Sequence, residues 1–251
     1  MAAKQIVTLI TGANQGIGFE TAKNLVLSSN AYHVIIGSRD ANRGTKAVSE
    51  LQSLADIKGT LDTVQIDVTD DNSVDRAAEH IQSKYGRLDI LVNNAGVNNL
   101  NPAVRESMRS IYAVNVIGVA SVTEAFLPLL RKSDAPRVVF VSSSMGSIAY
   151  ASDKNSPYYR PQGIPYRSSK AALNMMIAMY SHSLSLEEKD FKVFGADPGL
   201  NATNLVGDAA SLRARGAVEP YVGGGIIAAV AKGERDADVG RVCSIDGVVE
   251  W

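Results

Sequence analysis

Short, almost wholly apolar runs recur along this chain, and a longer stretch with helical spacing follows nearly every one. "QIVTLIT" (5–11), "HVIIGS" (33–38), "DTVQID" (62–67), "LDILVNN" (88–94), "RVVFVSS" (137–143), "KVFGAD" (192–197) and "RVCSID" (241–246) read as strands. A strand with one wet face alternates apolar and polar residues. Most of these do not, so both of their faces are buried, as in a parallel sheet covered on each side. Between them the spacing predicts helices at roughly 17–28, 41–55, 71–85, 103–131, 166–188 and 218–232. In the fifth, Leu173, Met176, Ile177, Tyr180 and Leu184 recur at helical intervals. Such alternation implies an α/β fold: a doubly wound, Rossmann-type parallel sheet of about seven strands with helices on both faces. No repeat or linker divides the sequence, so residues 1–251 read as one domain.

Composition removes several function classes. A formal net charge of −1 offers no basic field to nucleic acid or to an anionic membrane. The single cysteine, Cys243 in "GRVCSI", excludes an intramolecular disulfide and reads as a small buried hydrophobe. The three histidines, His33, His80 and His182, are scattered, which argues against a metal site. The opening "MAAKQIVTLITG" is too short and too soon broken for a signal peptide or a membrane span. The expectation is a cytoplasmic protein.

Two stretches lack a periodic pattern, 144–165 and 198–217. Both leave the C-terminal ends of strands, where open α/β sheets bind their ligands, so both are candidates for shaping a substrate pocket.

"TLITGANQGIGFETAKNL" is a strand, a glycine-rich turn and a helix. Such a turn brings backbone N–H groups and a helix N-terminus up to a pyrophosphate. Gly12, Gly16 and Gly18 are spaced G-x-x-x-G-x-G. At the end of the second strand, where an acid would hold the ribose of NAD, stand Ser38 and Arg39. A guanidinium suits a 2′-phosphate, which favours NADP over NAD. The competing readings are that Arg39 is merely exposed and that Asp40 only caps the next helix.

"GIPYRSSKAAL" sets Tyr166 and Lys170 four residues apart, on one face of a helix. On an arbitrary helix this is a surface pair worth a few tenths of a kcal/mol, roughly 0.2–0.5. An unperturbed phenol has a pKa of about 10, and a neighbouring positive charge favours its ionised form. Tyr158 and Tyr159 lie nearby, but neither has a lysine four residues later.

Together "TGANQGIG" (11–18), "NNAG" (93–96), "SSSMG" (142–146), "YRSSK" (166–170) and "DPG" (197–199) resemble the motifs of the short-chain dehydrogenase/reductase family, in order and over nearly the whole chain. The closing "SIDGVVEW" is similar to fungal members. The resemblance implies a nicotinamide-dependent reductase in which Tyr166 donates a proton to a carbonyl oxygen as hydride is delivered. Lys170 would bind the nicotinamide ribose and stabilise the tyrosinate, Ser143 would fix the carbonyl oxygen, and Asn115 would support a proton-relay water. For the cofactor, the resemblance implies Gly12, Asn14, Gln15, Gly16, Ile17 and Gly18 at the phosphates, with Ser38 and Arg39 at the adenosine ribose. Asp67 and Val68 would flank the adenine, Asn94, Ala95 and Gly96 would pass the ribose, and Pro198, Gly199 and Thr203 would meet the nicotinamide. Ser142 and Ser144 leave the register of Ser143 open by one place.

The chain departs from the family pattern in two places. The 23-residue step from Ser143 to Tyr166 is longer than usual, and Asn201 stands where a small aliphatic residue is common. The expected function is NADPH-dependent reduction of a ketone, an aldehyde or an imine-like group in a small organic or secondary-metabolite substrate. The alternatives are a non-redox cyclisation or isomerisation on the same scaffold, and an NADPH-binding module without turnover. The family also implies a homodimer or homotetramer, here through helices 103–131 and 166–188, with Met176, Met179 and Tyr180 as the apolar contact. Residues 150–165, with Tyr150, Tyr158, Tyr159 and three prolines, are expected to form a movable wall over the substrate.

Overall fold

The structure, a computed structural model, describes residues 5–99, 103–205 and 207–251. Residues 1–4, within the N-terminal stretch read above, and Val206, within the 198–217 stretch, lie outside the described residues. Its strands are β1 (Ile6–Thr11), β2 (Tyr32–Ser38), β3 (Thr60–Gln65), β4 (Ile90–Asn93), β5 (Arg137–Val141), β6 (Lys192–Ala196), β7 (Val242–Ser244) and β8 (Gly247–Val249). They form one sheet in the order β3-β2-β1-β4-β5-β6-β7-β8. All neighbours are parallel except β7 and β8, a short antiparallel pair at the edge. The eighth strand exceeds the seven expected, because "GVV" lies only two residues beyond β7 and merged with it in an apolar tail.

Adjacent strand residues face opposite ways, and the core divides accordingly. Leu9, Ile35, Leu91 and Val138 point to one side, where they join Phe126 and Leu173. Their neighbours Ile10, Ile36, Val92 and Val139 point to the other, where they join Leu25, Leu51 and Ile227. Burying each such side chain contributes about 1.5–3 kcal/mol before entropy is counted. This two-sided demand is why the strands read as continuous apolar runs.

The helices are α1 (Gly16–Ser28), α2 (Ala41–Gln52), α3 (Asp71–Tyr85), α4 (Val104–Tyr112), α5 (Val119–Leu130), α6 (Ile148–Ser152), α7 (Ile164–Ser185), α8 (Ala209–Ala214) and α9 (Pro220–Lys232). A π-helical segment, Ala113–Gly118, joins α4 to α5, so the single helix expected at 103–131 is interrupted at its centre. The whole helical stretch Val104–Leu130 is long and apolar enough to cross a membrane, but half of its most apolar window is buried in the fold, as in a core helix. The stretches without a pattern, 144–165 and 198–217, hold the short helices α6 and α8, too brief to show a period. The strand order reverses between β1 and β4, and the C-terminal ends of the strands open there.

Candidate active site

The turn after β1 is built for close approach. Gly12 and Gly16 have φ of 65° and 60°, the left-handed region that glycine enters without strain. A Cβ on Gly18 would stand 2.4 Å from Asn94 Nδ2 and 2.9 Å from the Gly12 carbonyl. Asn94 Nδ2 donates to the carbonyls of Thr11 (2.8 Å) and Gly12 (3.2 Å), and the Thr11 hydroxyl accepts from the N–H groups of Asn94 and Ala95, each at 3.0 Å. The side chain of Asn94 therefore braces the turn, and Asn94, Ala95 and Gly96 all line the cavity beside it. Thr203 comes from the far wall, its methyl 3.6 Å from where a Gly16 Cβ would be. Asn14, Gln15 and Ile17 line the same cavity, so the turn leaves open the space in which a pyrophosphate would lie.

At the end of β2, Ser38 is buried and its hydroxyl donates to the Asp40 carbonyl at 2.7 Å. Asp40 caps α2, accepting from Asn42 N at 2.9 Å and Arg43 N at 3.1 Å, so the capping reading of this acid holds. Arg39 is exposed at the rim and its charge helps lower the Asp67 carboxyl. There burial would raise the pKa, but bonds from Thr69 together with Arg39 outweigh it. Arg43, one turn into α2, lines the cavity beside Arg39 and went unread. Asp67 and Val68 form the adjoining wall.

The reacting groups sit at the opposite end. Lys170 is 5% exposed, and its Nζ donates to the Val141 carbonyl at 2.8 Å and lies 5.6 Å from the centre of the Tyr166 ring. The three serines have different partners. Ser142 Oγ donates to Asn174 Oδ1 at 2.5 Å, and Ser144 gives both its N–H (2.7 Å) and its hydroxyl to Asp197. Ser143 alone keeps its hydroxyl at the cavity, accepting from Met145 N at 3.2 Å and within reach of the Tyr166 phenol. A Cβ on Gly146 would meet the Lys170 backbone at 2.6 Å, so this turn presses directly on α7.

Electrostatics here differ from the expected direction. Burial raises the Tyr166 phenol above its ordinary range, the Asp197 charge raises it further, and contact with Ser143 opposes both. Burial brings Lys170 down to about 8, with Asp197 pulling it back up. Burial is the largest influence on each group, and it opposes the charged form of both. Asp197, 5% exposed, was read only as part of "DPG". Its Oδ1 also accepts from Gly199 N at 2.9 Å, so it ties the serine turn to the Pro198–Gly199 segment.

Asn115, buried in the π-helical segment, uses both of its amide protons and one of the two acceptor positions of its oxygen. Its Oδ1 accepts from Val97 N (2.8 Å), and its Nδ2 donates to the Val97 carbonyl (2.9 Å) and Ser169 Oγ (3.1 Å). A Cβ on Gly96 would stand 3.5 Å from Asn115 Oδ1 and 4.0 Å from Lys170 Nζ, so β4, the π segment and α7 meet at one point. Asn201 is buried because its Nδ2 holds the Pro198 and Gly199 carbonyls at 2.8 and 3.0 Å, work that a small aliphatic residue could not do.

The 150–165 wall is strapped down. Arg167 donates to the carbonyls of Tyr158 (2.7 Å) and Arg160 (3.0 Å), Tyr150 stacks on Tyr158 at 5.7 Å, and Ala149 N–H donates to the carbonyl of Trp251 at 2.9 Å. Tyr158 lines the cavity, whereas Tyr159 is exposed. A single cavity of about 1510 Å³ runs from the glycine turn past Ser143, Tyr166 and Lys170 to this wall.

The sequence profile described as short chain dehydrogenase matches residues 6–213. The chain is similar to the short-chain dehydrogenase/reductase tropE of Talaromyces stipitatus, 38% identical over 96% of each chain. It is also similar to the short-chain dehydrogenase/reductase eupG of a Phoma species, 40% identical over 94% of this chain and 93% of the other. Among solved structures it resembles the NADPH-bound carbonyl reductase from chicken fatty liver, with a TM-score of 0.80, 25% identity, and 99% and 100% of the two chains covered.

Proposed function

The chain belongs to the short-chain dehydrogenase/reductase family, and from that membership we propose that it is an NADPH-dependent reductase of carbonyl groups in small organic molecules. One observation carries this reading: the cavity that opens on the glycine turn also holds Ser143, Tyr166 and Lys170. When bound, the dinucleotide supplies the hydride. Tyr166 gives its proton to the carbonyl oxygen, and Ser143 orients that oxygen by hydrogen bonding. Lys170, positioned by the Val141 carbonyl, brings positive charge to the phenol as it ionises. Burial keeps the phenol protonated until a substrate needs the proton. Arg39, just past β2, and Arg43, in the first turn of α2, line the cavity where the nearby acid Asp40 is committed as the α2 cap, and they support a 2′-phosphate and hence NADPH over NADH.

Tyr166→Phe tests the reading directly. It should slow carbonyl reduction by at least about 100-fold, the lower range for loss of a general acid, with NADPH binding retained. Product mass followed together with nicotinamide absorbance separates reduction from rearrangement without net oxidation. If a broad carbonyl panel is turned over by Tyr166→Phe as fast as by the parent, the proton-donor role is wrong.

A further inference from the structure

The walls on the substrate side carry a one-sided charge. Residues 144–163 and 198–219, with the first turns of α7, supply Arg160, Arg167 and Arg215 to the cavity lining and no acid; Asp197, just before the second segment, lies at the chemistry. The acids of these segments are committed elsewhere. Asp153 accepts from Asn155 N at 2.9 Å, Asp208 caps α8 through Ser211 N at 2.9 Å, and Glu219 pairs with Arg213. Among the described residues none of the three lining arginines has a carboxylate within ion-pair distance. Arg167 bonds two backbone carbonyls and Arg160 Nε bonds the Pro157 carbonyl at 3.0 Å, which places the guanidinium groups without cancelling their charge. Arg215 is exposed with its fork unengaged by an acid. On a chain of net charge −1, three uncompensated guanidinium groups around one mouth make a local field for anions. Tyr158 offers a flat face in the same wall.

We propose that this mouth selects a carboxylate-bearing aromatic carbonyl compound, the carboxylate held by Arg160 and Arg215 while the ring lies against Tyr158 and the carbonyl reaches Tyr166. The proposal rests on the reductase reading and sharpens it to an anionic substrate class. Guanidinium forks bind carboxylates through paired, charge-assisted hydrogen bonds, so the anion adds orientation as well as affinity.

The test uses the NADPH-loaded full chain with 4-formylbenzoate and its methyl ester. The wild type should favour the acid, and Arg160→Gln with Arg215→Gln should lower kcat/KM for the acid by about 10- to 100-fold, the loss of a charge-assisted contact. The ester should stay within about twofold, as should the NADPH dissociation constant. Lys154→Gln, the same charge change in the same connection but outside the cavity lining, should leave the acid/ester ratio unaltered. Equal use of acid and ester by the wild type overturns the proposal, as does an arginine variant that weakens NADPH binding or slows both probes alike. Calorimetry with terephthalate and terephthalamide on the NADP-loaded protein decides the case in which neither aldehyde is reduced. A preference for terephthalate that the double variant loses upholds the anion mouth while the reductase reading fails. Equal binding of the two ligands overturns the proposal. The coenzyme A thioester of 4-formylbenzoic acid separates a carboxylate site from one that reads phosphates: its reduction in preference to the free acid also overturns the proposal.

Discussion

Lys170 and Asp197 set the pH behaviour at the level of single residues. Burial holds the lysine at about 8, so its charge is lost from the substrate-free enzyme as pH rises through that value, and kcat/KM should fall with it. Asp197 raises Lys170, so Asp197→Asn removes that support and should move this falling limb to lower pH. A pH profile of kcat/KM checks both, and an unmoved limb in Asp197→Asn would show that the carboxylate only braces loops. Because the lysine's pKa is lowered on folding, the unfolded chain holds more protons between about 8 and 10.5, and this group's contribution to stability grows with pH across that window. At the other end of the cavity, Arg39→Asp should cut the NADP/NAD preference by about 10- to 150-fold, with cofactor titration as the measure. The Tyr166/Lys170 pair was legible in sequence because helical spacing alone places two residues on one side. The phenol's raised pKa was not, since burial and the reach of Asp197 belong to the packed molecule.

Among the elements, the strands announced themselves because a sheet covered on both sides leaves no polar positions, while the π segment did not. Its residues, "AVNVIG", continue the apolar pattern of the helices on either side, and within it the Asn115 side chain bonds Val97 and Ser169. Asn115→Ala would leave the Val97 N–H and C=O and the Ser169 hydroxyl without that partner. At about 1–3 kcal/mol for an unsatisfied buried group, urea unfolding should show a loss of at least about 2 kcal/mol. A smaller loss would mean that water replaces the amide without penalty. The wall of 150–165, expected to move, is linked to α7 through the bonds of Arg167 to the Tyr158 and Arg160 carbonyls. Arg167→Ala should speed proteolytic cleavage within 157–162, and unchanged digestion would show that the Tyr150–Tyr158 stack suffices to hold it.

For the molecule as a whole, the apolar contact expected at Met176, Met179 and Tyr180 divides between the core and the surface. Met176 packs on the core, and Tyr180 stacks on Phe140 at 5.7 Å and donates to Glu124. The side of α7 that remains free presents Met175 and Met179, 64% and 56% exposed, and the π segment adds Ile117 at 65%. These three are the surface through which we expect a homodimer or homotetramer to form. Light scattering of Met175→Glu/Met179→Glu should then give a monomer from an oligomeric parent, because an unpaired charge in an apolar interface is costly. The spacing of α7 was legible, but helical periodicity cannot tell which of two apolar stripes meets the sheet. The bond from Ala149 to the carbonyl of Trp251 has a practical use for whoever next handles this protein. Trp251 is the only tryptophan in the sequence and is 38% exposed, and its backbone carbonyl ties the one indole emitter to α6, the helix that leads into the substrate wall. Its intrinsic emission is an unlabelled optical gauge of that wall.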